Sequence, residues 1–297
     1  MSAGTGPSTG MEMVQPRSWT EALQEKADAP ELVPIAGGTD VMVELNFDRR
    51  RPAGLLDLTR VPEIATWSVD DGVVHLGAGV TYTQVMADLA DLLPGLAAAS
   101  RTVGSPQIRN RGTVAGNLGS ASPAGDAHPP LLAAGATVVL ESVRGRRDVP
   151  VAEFFTGVKR SVLAPDELIR AVLVPAATGP QQFSKIGTRN AMVIAVASFA
   201  LALDAGARRV GTGIGSAAPT PRTAPDAEDL VSAELDWAGG TEPDEDVVRR
   251  FSELVAGAAD PIDDVRGSAA YRRHALAVMA RRTLGWAWAD YRRSWAA

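Results

Sequence analysis

The stretch "RNRGTVAGNLGSASPAGD", from Arg109 to Asp126, decides how the rest of the chain is interpreted. It contains four glycines, three hydroxyl side chains, the amide of Asn117 and a final acid. Glycine allows positive φ angles and a close approach of the backbone to a ligand. Successive backbone N–H groups in such turns can bind an anion. The stretch therefore favours a ligand-binding loop over a core element or a plain linker.

A second glycine turn, "AGGTD", lies at Ala36–Asp40. Either turn alone is ordinary, but two loops of this kind suit a diphosphate, whose oxygens are carried by two phosphorus atoms. The standard nucleotide signatures are missing. The sequence has no Gly-Lys pair for a Walker A loop, and "GTGIGS" at Gly211–Ser216 lacks the last glycine of the Rossmann fingerprint.

Length and composition describe a globular protein without a membrane span. The 297 residues suffice for two domains, and no apolar run approaches the length of a membrane helix. The N-terminus lacks a basic region followed by an apolar one, so we expect no secretory signal and a cytoplasmic location. The net charge of −6 disfavours a nucleic-acid function.

Metal and cysteine chemistry is not expected from this chain. Cysteine is absent, which excludes disulfides, a cysteine nucleophile and iron–sulfur ligation by these residues. The three histidines, His75, His128 and His274, are far apart in sequence and follow no metal-binding spacing. We therefore predict no metal site.

Local patterns predict an α+β architecture. Capping boxes at Ser18–Glu21 and Thr81–Gln84 begin helices, and Asp70-Asp71-Gly72 indicates a β-hairpin. The composition changes after Pro175. There "MVIAVASFALAL" and "RRVGTGIGSAA" predict paired strands, "PTPRTAPDAED" a turn-rich joint, and the residues from Pro243 onward two long helices.

The chain resembles the FAD-binding (medium) subunit of the molybdenum hydroxylases, a family that includes xanthine dehydrogenases and carbon monoxide dehydrogenase. Four pieces carry the resemblance: "PIAGGTDVM", "VGSPQIRNRGTVAGNLGSASPAGDAHPPLLAAGATV", "LAPDELIRAVLVP" with "FSKIGTRNAMVIA", and "DDVRGSAAYRRHALAVMARRTL". Together they extend over residues 14–290. The family usually has two glycines before the asparagine, where this chain has Ala115 and Gly116. A methyl group at Ala115 requires ordinary backbone angles there.

The resemblance implies a PCMH-type, vanillyl-alcohol-oxidase-like FAD-binding fold of two subdomains. A C-terminal domain with a three-stranded sheet and a helical bundle would follow. We expect a flexible tail at 1–13, the FAD-binding domain at 14–178, with subdomains at about 14–60 and 61–178, and the C-terminal domain at 179–297. The implied cofactor-binding residues are Pro34, Ile35, Ala36, Gly37, Gly38, Thr39, Asp40, Val41, Val103, Gly104, Thr113, Ala115, Gly116, Asn117, Ser122, Asp126, Ile169 and Lys185.

Several of these residues also have structural interpretations. Lys185 would stabilise the reduced flavin electrostatically and raise its potential, or it is a surface lysine in a strand. Asp126 would accept a hydrogen bond from FAD, cap the following helix, or do both. Asn117 would contact FAD or occupy a left-handed turn position. Arg109 and Arg111 face phosphate or are structural, and Trp286, Trp288 and Trp295 are expected to pack helices or form an interface.

The resemblance implies that the chain is an electron-transfer subunit of an oxidoreductase. It would take electrons from a partner [2Fe–2S] small subunit, beside a molybdopterin-binding large subunit, and pass them from reduced FAD to NAD⁺, oxygen or another carrier. A dimer of heterotrimers would be the full assembly. Two alternatives stay open: a stand-alone flavin oxidase or reductase of the same fold, and a nucleotide-binding interaction module without redox turnover.

Overall fold

The computed structural model describes residues 11–295, with side chains through Ser294. Its N-terminal layer is a small parallel sheet of three strands in the order β1 (Glu12–Val14), β3 (Gly54–Asp57), β2 (Val33–Ile35). Residues 1–10 of the predicted tail lie outside this description. The tail prediction is too long, because Glu12 and Met13 already pair with β3.

Two helices connect the strands of this first sheet. Helix α1 (Trp19–Asp28) begins as predicted, with the Ser18 hydroxyl accepting a hydrogen bond from the Glu21 amide. Helix α2 (Val41–Asn46) follows the first glycine turn directly. This order places the first loop at the end of β2, where the chain leaves the sheet.

The second layer is a five-stranded antiparallel sheet. Its order is β4 (Trp67–Asp70), β5 (Val73–Gly77), β10 (Leu168–Pro175), β6 (Thr137–Ser142), β7 (Gly145–Pro150). The predicted hairpin is confirmed, since β4 and β5 are antiparallel neighbours joined by Asp71 and Gly72, both with positive φ. A small hairpin, β8 (Phe155–Gly157) with β9 (Arg160–Ser161), projects from this layer.

Six short helices run between the strands of the second sheet. They are α3 (Tyr82–Asp88), α4 (Pro94–Thr102), α5 (Pro106–Arg109), α6 (Val114–Ser120), α7 (His128–Ala133) and α8 (Val151–Phe154). The predicted capping box at Thr81 and Gln84 is confirmed with both of its hydrogen bonds. The first two sheets and these helices share one apolar core, which includes Leu56, Leu76 and Leu118.

The C-terminal part has its own sheet and core. Strands β11 (Gln181–Ile186), β12 (Ala197–Asp204) and β13 (Arg209–Gly215) form an antiparallel sheet in that order. It is covered by α9 (Pro225–Glu234), α10 (Glu245–Gly257) and α11 (Ala269–Trp295). The α+β class and the predicted pair of long C-terminal helices are thereby confirmed.

Two C-terminal elements differ from the sequence prediction. The turn-rich joint contains helix α9, because its prolines lie at or before the first helical turn, where the missing N–H costs no hydrogen bond. The strand predicted from Met192 begins only at Ala197, and the residues before it form a loop. All residues of the "GTGIGS" segment except the last, Ser216, lie in β13, so the segment is not a nucleotide loop.

Glycines in β13 explain how the two parts of the chain meet. A Cβ at Gly213 would lie 2.0 Å from the carbonyl oxygen of Pro129, and one at Gly211 would lie 2.1 Å from that of Ala133. Both carbonyls belong to α7, so the helix backbone rests directly on the strand. Within residues 11–295, no helix has the length and hydropathy needed to cross a bilayer.

Candidate cofactor site

The first glycine loop leaves β2 with its backbone donors free. Gly38 has a φ of +75°, a left-handed conformation that glycine adopts without strain. The N–H groups of Gly37, Gly38 and Thr39 donate to no other atom among the described residues. Such adjacent free donors can bind an anion without a cationic side chain.

The second glycine stretch is a helix start, which corrects the prediction of a turn. Thr113 is the N-cap of α6, and its hydroxyl accepts a hydrogen bond from the Gly116 amide at 2.9 Å. Ala115 lies in the first turn of this helix, with right-handed backbone angles. The methyl group that replaces the family's usual glycine therefore causes no backbone strain. The departure from the family pattern is compatible with the local geometry.

The two loops touch each other through their backbones. A Cβ at Gly37 would lie 2.0 Å from the carbonyl oxygen of Arg111 and 2.8 Å from the amide nitrogen of Gly112. Only a residue without a side chain can occupy position 37 at this distance. The chain therefore places the end of β2 and the start of α6 side by side, although they are far apart in sequence.

Both loops border a cavity of ≈ 550 Å³, within the usual range for small-molecule sites. Sixteen of the eighteen residues predicted to bind the cofactor line it: Pro34, Ile35, Ala36, Gly37, Gly38, Thr39, Asp40, Val41, Val103, Gly104, Thr113, Ala115, Gly116, Asn117, Asp126 and Ile169. Ser122 and Lys185 do not line it. The Ser122 hydroxyl instead accepts a hydrogen bond from the Ala124 amide in the turn that follows α6.

Lys185 contacts Asp126, which lines the cavity, but does not line the cavity itself. Its Nζ lies 2.5 Å from Oδ2 of Asp126 and donates to the carbonyl oxygen of Thr102 at 3.2 Å. Only 7% of the Lys185 side chain and 9% of the Asp126 side chain are exposed. The interpretation of Lys185 as a surface lysine is therefore wrong, and Asp126 lies between its ammonium group and the cavity.

Asp126 has one carboxylate oxygen without a partner. Its Oδ2 binds Lys185, whereas its Oδ1 is buried and accepts no hydrogen bond. Burial raises the pKa of the Asp126 carboxyl, and the Lys185 ammonium opposes that rise. Helix α7 begins after Ala127 with no side-chain cap, so the alternative role of Asp126 as an N-cap is wrong. The cavity wall therefore contains one buried hydrogen-bond acceptor, Asp126 Oδ1, that no protein group satisfies.

Asn117 occupies a helical position. It lies within α6, and the left-handed position belongs to Ala121, with a φ of 45°, so the turn interpretation of Asn117 is wrong. Its Oδ1 accepts a hydrogen bond from the Ala127 amide at 3.3 Å. Its backbone oxygen lies 3.1 Å from Nε2 of buried His128. Burial lowers the pKa of His128 to about 4, so this imidazole is neutral near pH 7.

The remaining candidates have structural roles. Arg109 is structural, since its guanidinium donates to the carbonyl oxygens of Val103 and Gly104, both at 3.1 Å. Trp288 is buried and packs against other aromatic rings of the C-terminal core, as predicted. Trp286 is half exposed on the same helix. The side chain of Trp295 lies outside the described residues.

Sequence reasoning missed part of the cavity wall. Three of the missed residues, Gly119, Ser120 and Ala124, lie within the second glycine stretch. The others come from elements outside both glycine motifs: Val33, Glu44, Arg50, Leu58, Ile64, Ala78, Tyr82, Ile108, Lys159, Leu163, Glu167, Leu168, Met192, Val193 and Ile194. Lys159 forms an ion pair with Glu44, which joins the β8–β9 hairpin to α2 at the edge of the cavity. No local signal marks the missed residues outside the glycine motifs, because only tertiary packing brings them to the site.

The residues that line the cavity are suited to binding FAD. The cavity offers free backbone donors for a diphosphate, buried side-chain atoms of both polarities without partners, and apolar walls for a ring system. The partnerless atoms are Asp126 Oδ1, an acceptor, and Tyr82 Oη, a donor. Among residues 11–295, no group of His, Cys, Asp and Glu side chains is placed to hold a metal ion.

Comparison with known proteins gives consistent matches to one family. Residues 9–177 match the model of the FAD binding domain in molybdopterin dehydrogenase, and residues 182–287 match the CO dehydrogenase flavoprotein C-terminal domain. The nicotinate dehydrogenase FAD-subunit of Eubacterium barkeri is 36% identical over 195 residues, which are 62% of this chain and 66% of that protein. The nicotine 6-hydroxylase medium subunit of Paenarthrobacter nicotinovorans is 31% identical over 84% of this chain and 87% of that protein.

A solved structure extends the similarity to three dimensions. It is the carbon monoxide dehydrogenase from Hydrogenophaga pseudoflava that lacks the Mo-pyranopterin moiety of the molybdenum cofactor. One of its chains superimposes with a TM-score of 0.86 at 27% sequence identity, covering 94% of this chain and 98% of that one. The similarity therefore includes both the loop-bearing part and the C-terminal sheet with its helices.

Proposed function

Because the chain belongs to the FAD-binding subunits of the molybdenum hydroxylases, we propose that it passes electrons from a partner's [2Fe–2S] cluster to a soluble acceptor. FAD, when bound, would supply the redox chemistry that links one-electron donors to a two-electron acceptor. The chain itself binds the cofactor, orients it and sets the charge around it. The observation that carries the proposal is one cavity bordered by both glycine loops in a chain of this family.

The two loops hold the diphosphate. The free N–H groups of Gly37, Gly38 and Thr39 face an anion on one side. Thr113 and the first turn of α6 face it on the other side, where the helix start offers further unpaired amides. Val103 and Ile169 supply apolar contacts. No lysine or arginine is needed, because backbone dipoles carry the charge complementarity.

Asp126 and Lys185 act as a pair beside the cofactor. Lys185 holds the carboxylate of Asp126 in its ionised form, which leaves Oδ1 as an acceptor for FAD. The ammonium charge also favours the anionic form of the reduced cofactor. Lys185 is therefore a positioning residue that acts on FAD through Asp126 and through its field.

NAD⁺ is the acceptor that we propose first. The edge of the cavity carries exposed apolar side chains, Met192 and Ile194, on the loop before β12. An apolar edge beside the cofactor suits stacking of a planar ring such as nicotinamide. Several relatives have dehydrogenase names, including the xanthine dehydrogenase FAD-binding subunit of Escherichia coli O157:H7.

The assembly that we propose contains two further kinds of subunit. The relative in Paenarthrobacter nicotinovorans is named a medium subunit, and we infer an iron–sulfur small subunit and a molybdopterin large subunit for this chain. Two such trimers would form the complete enzyme. We also propose that the FAD-binding domain begins with β1 and ends at about residue 178, with its two subdomains divided at about residue 60, and that the second domain begins at about residue 179. The cytoplasm is the proposed location.

Co-expression with the neighbouring genes tests this function. The purified complex should contain FAD, iron and molybdenum. After anaerobic reduction of its iron–sulfur clusters by an oxidisable aldehyde or purine, the visible absorbance of the flavin should bleach, and NAD⁺ should restore it. Bleaching by substrate in the isolated chain would instead support a stand-alone flavin enzyme. FAD that stays oxidised while the clusters are reduced would contradict the proposal.

A further inference from the structure

Tyr82 has a buried hydroxyl group that nothing in the protein satisfies. The residue is 3% exposed and lies in the first turn of α3. Its Oη is buried and has no hydrogen-bond partner among residues 11–295. A buried hydroxyl without a partner costs free energy, so folded proteins rarely leave one unless a ligand or water completes it.

The cofactor cavity is where this partner can lie. Tyr82 lines the cavity together with both glycine loops. Its backbone amide donates to the carbonyl oxygen of Gly112 at 3.0 Å. Its ring packs so closely on Gly112 that a Cβ there would lie 3.3 Å from two ring carbons. The ring is thus fixed against the second loop.

The two other tyrosines show that this hydroxyl is distinctive. The Tyr291 hydroxyl donates to the carbonyl oxygen of Trp237 at 2.7 Å, and Tyr271 is 47% exposed to water. Burial raises the pKa of Tyr82 well above its usual value, and the negative charges of Asp126 and Asp40 add to that rise. The hydroxyl therefore keeps its proton and can donate it to an acceptor that enters the cavity.

We propose that the Tyr82 hydroxyl donates a hydrogen bond to bound FAD, completing the set formed by the two glycine loops and Asp126. The inference rests on the proposed binding of FAD in this cavity. Tyr82 and Asp126 then serve opposite polarities of the same ligand: Oη donates, and Oδ1 accepts. FAD offers acceptors along its whole length in its phosphate, hydroxyl and ring atoms.

The test compares Tyr82→Phe with the matched control Tyr271→Phe in the full chain. Each protein is stripped of FAD and titrated with FAD while the quenching of flavin fluorescence is followed. The melting temperature is measured with and without the cofactor. Loss of one hydrogen bond should weaken FAD binding about three- to tenfold in Tyr82→Phe. Tyr271→Phe should bind as the wild type does.

The melting temperature of the cofactor-free protein separates a binding role from a structural one. Because the hydroxyl has no protein partner, cofactor-free Tyr82→Phe should melt at the wild-type temperature or above it. FAD should then raise that temperature less than it does in the wild type. Unchanged FAD affinity, or a lower melting temperature without FAD, would overturn the inference. Failure of the wild type itself to bind FAD would instead refute the proposed function.

Discussion

Lys185 and Asp126 form a buried ion pair that joins the two parts of the chain. The ammonium nitrogen of Lys185, in the first strand of the C-terminal sheet, lies 2.5 Å from Oδ2 of Asp126, just before α7. Asp126 also lines the cofactor cavity. The same pair therefore fixes the C-terminal sheet to the cofactor site and sets the charge on the cavity wall.

Breaking this pair should be costly in the absence of cofactor. Lys185→Met leaves a buried carboxylate without its partner, so we expect unfolding to become easier by about 3–5 kcal/mol. Asp126→Asn should cost a similar amount, and the double variant should cost less than the sum of the two. Urea unfolding gives these values. The exposed pair Arg249–Glu253 is the control, and its loss should cost less than about 1 kcal/mol.

The same residues should shift the potential of bound flavin in opposite directions. Lys185→Met removes a positive charge near the cofactor, which should lower the midpoint potential. Asp126→Asn keeps an acceptor oxygen but leaves the ammonium charge uncompensated, which should raise it. Redox titration followed by absorbance measures both. Shifts of the same sign, or no shift in either variant, would contradict the electrostatic role.

Gly37→Ala should separate the two loops. A methyl group there would lie 2.0 Å from the Arg111 carbonyl oxygen, so the backbone must move. We expect a loss of about 1–3 kcal/mol in stability and at least about tenfold weaker FAD binding, since the binding donors move with the loop.

Gly285→Ala is the matched control for this variant. Gly285 is exposed in the middle of α11, with open space around the position of a Cβ. Alanine there should leave FAD binding unchanged and stabilise the helix by about 0.5–1 kcal/mol. Wild-type FAD affinity in Gly37→Ala would show that the contact between the loops does not matter for the cofactor.

His128 should make stability depend on pH. Its pKa is about 4 in the folded chain and about 6.5 when unfolded. The unfolded state therefore binds a proton that the folded state does not, and stability falls as pH decreases from about 6.5 toward 4. Between pH 7.5 and 5, the wild type should lose about 2 kcal/mol more than His128→Gln. Equal losses in urea unfolding would contradict this.

Local sequence signals predicted the elements that local interactions stabilise. The capping box at Thr81 and Gln84 contains both partners of its hydrogen bonds, and the Asp71–Gly72 turn joins adjacent strands. The glycine motifs likewise identified both loops that border the cavity. In each case the residues that determine the structure are close in sequence or belong to a recognisable motif.

The rest depended on packing between distant segments. Tyr82 reaches the cavity because α3 packs against the second loop, and no pattern around Tyr82 indicates that contact. Lys185 is an isolated cation in the sequence of its strand. Its partner Asp126 lies in a distant segment, between β5 and β6 of the second sheet. The glycine pattern at Gly112–Asn117 predicts a turn, whereas in the structure Thr113 caps helix α6, which begins there.

The glycines of β13 have a consequence for how the chain tolerates mutation. Where α7 meets Gly211 and Gly213, main chain rests on main chain, without intervening side chains. Substitutions at other positions of α7 or β13 can change which side chains surround this contact, but they hardly change the distance between the helix and the strand. Side-chain substitutions elsewhere should therefore leave the distance between the two halves unchanged. Exchange of the C-terminal half between relatives should give a folded protein where these two glycines are kept.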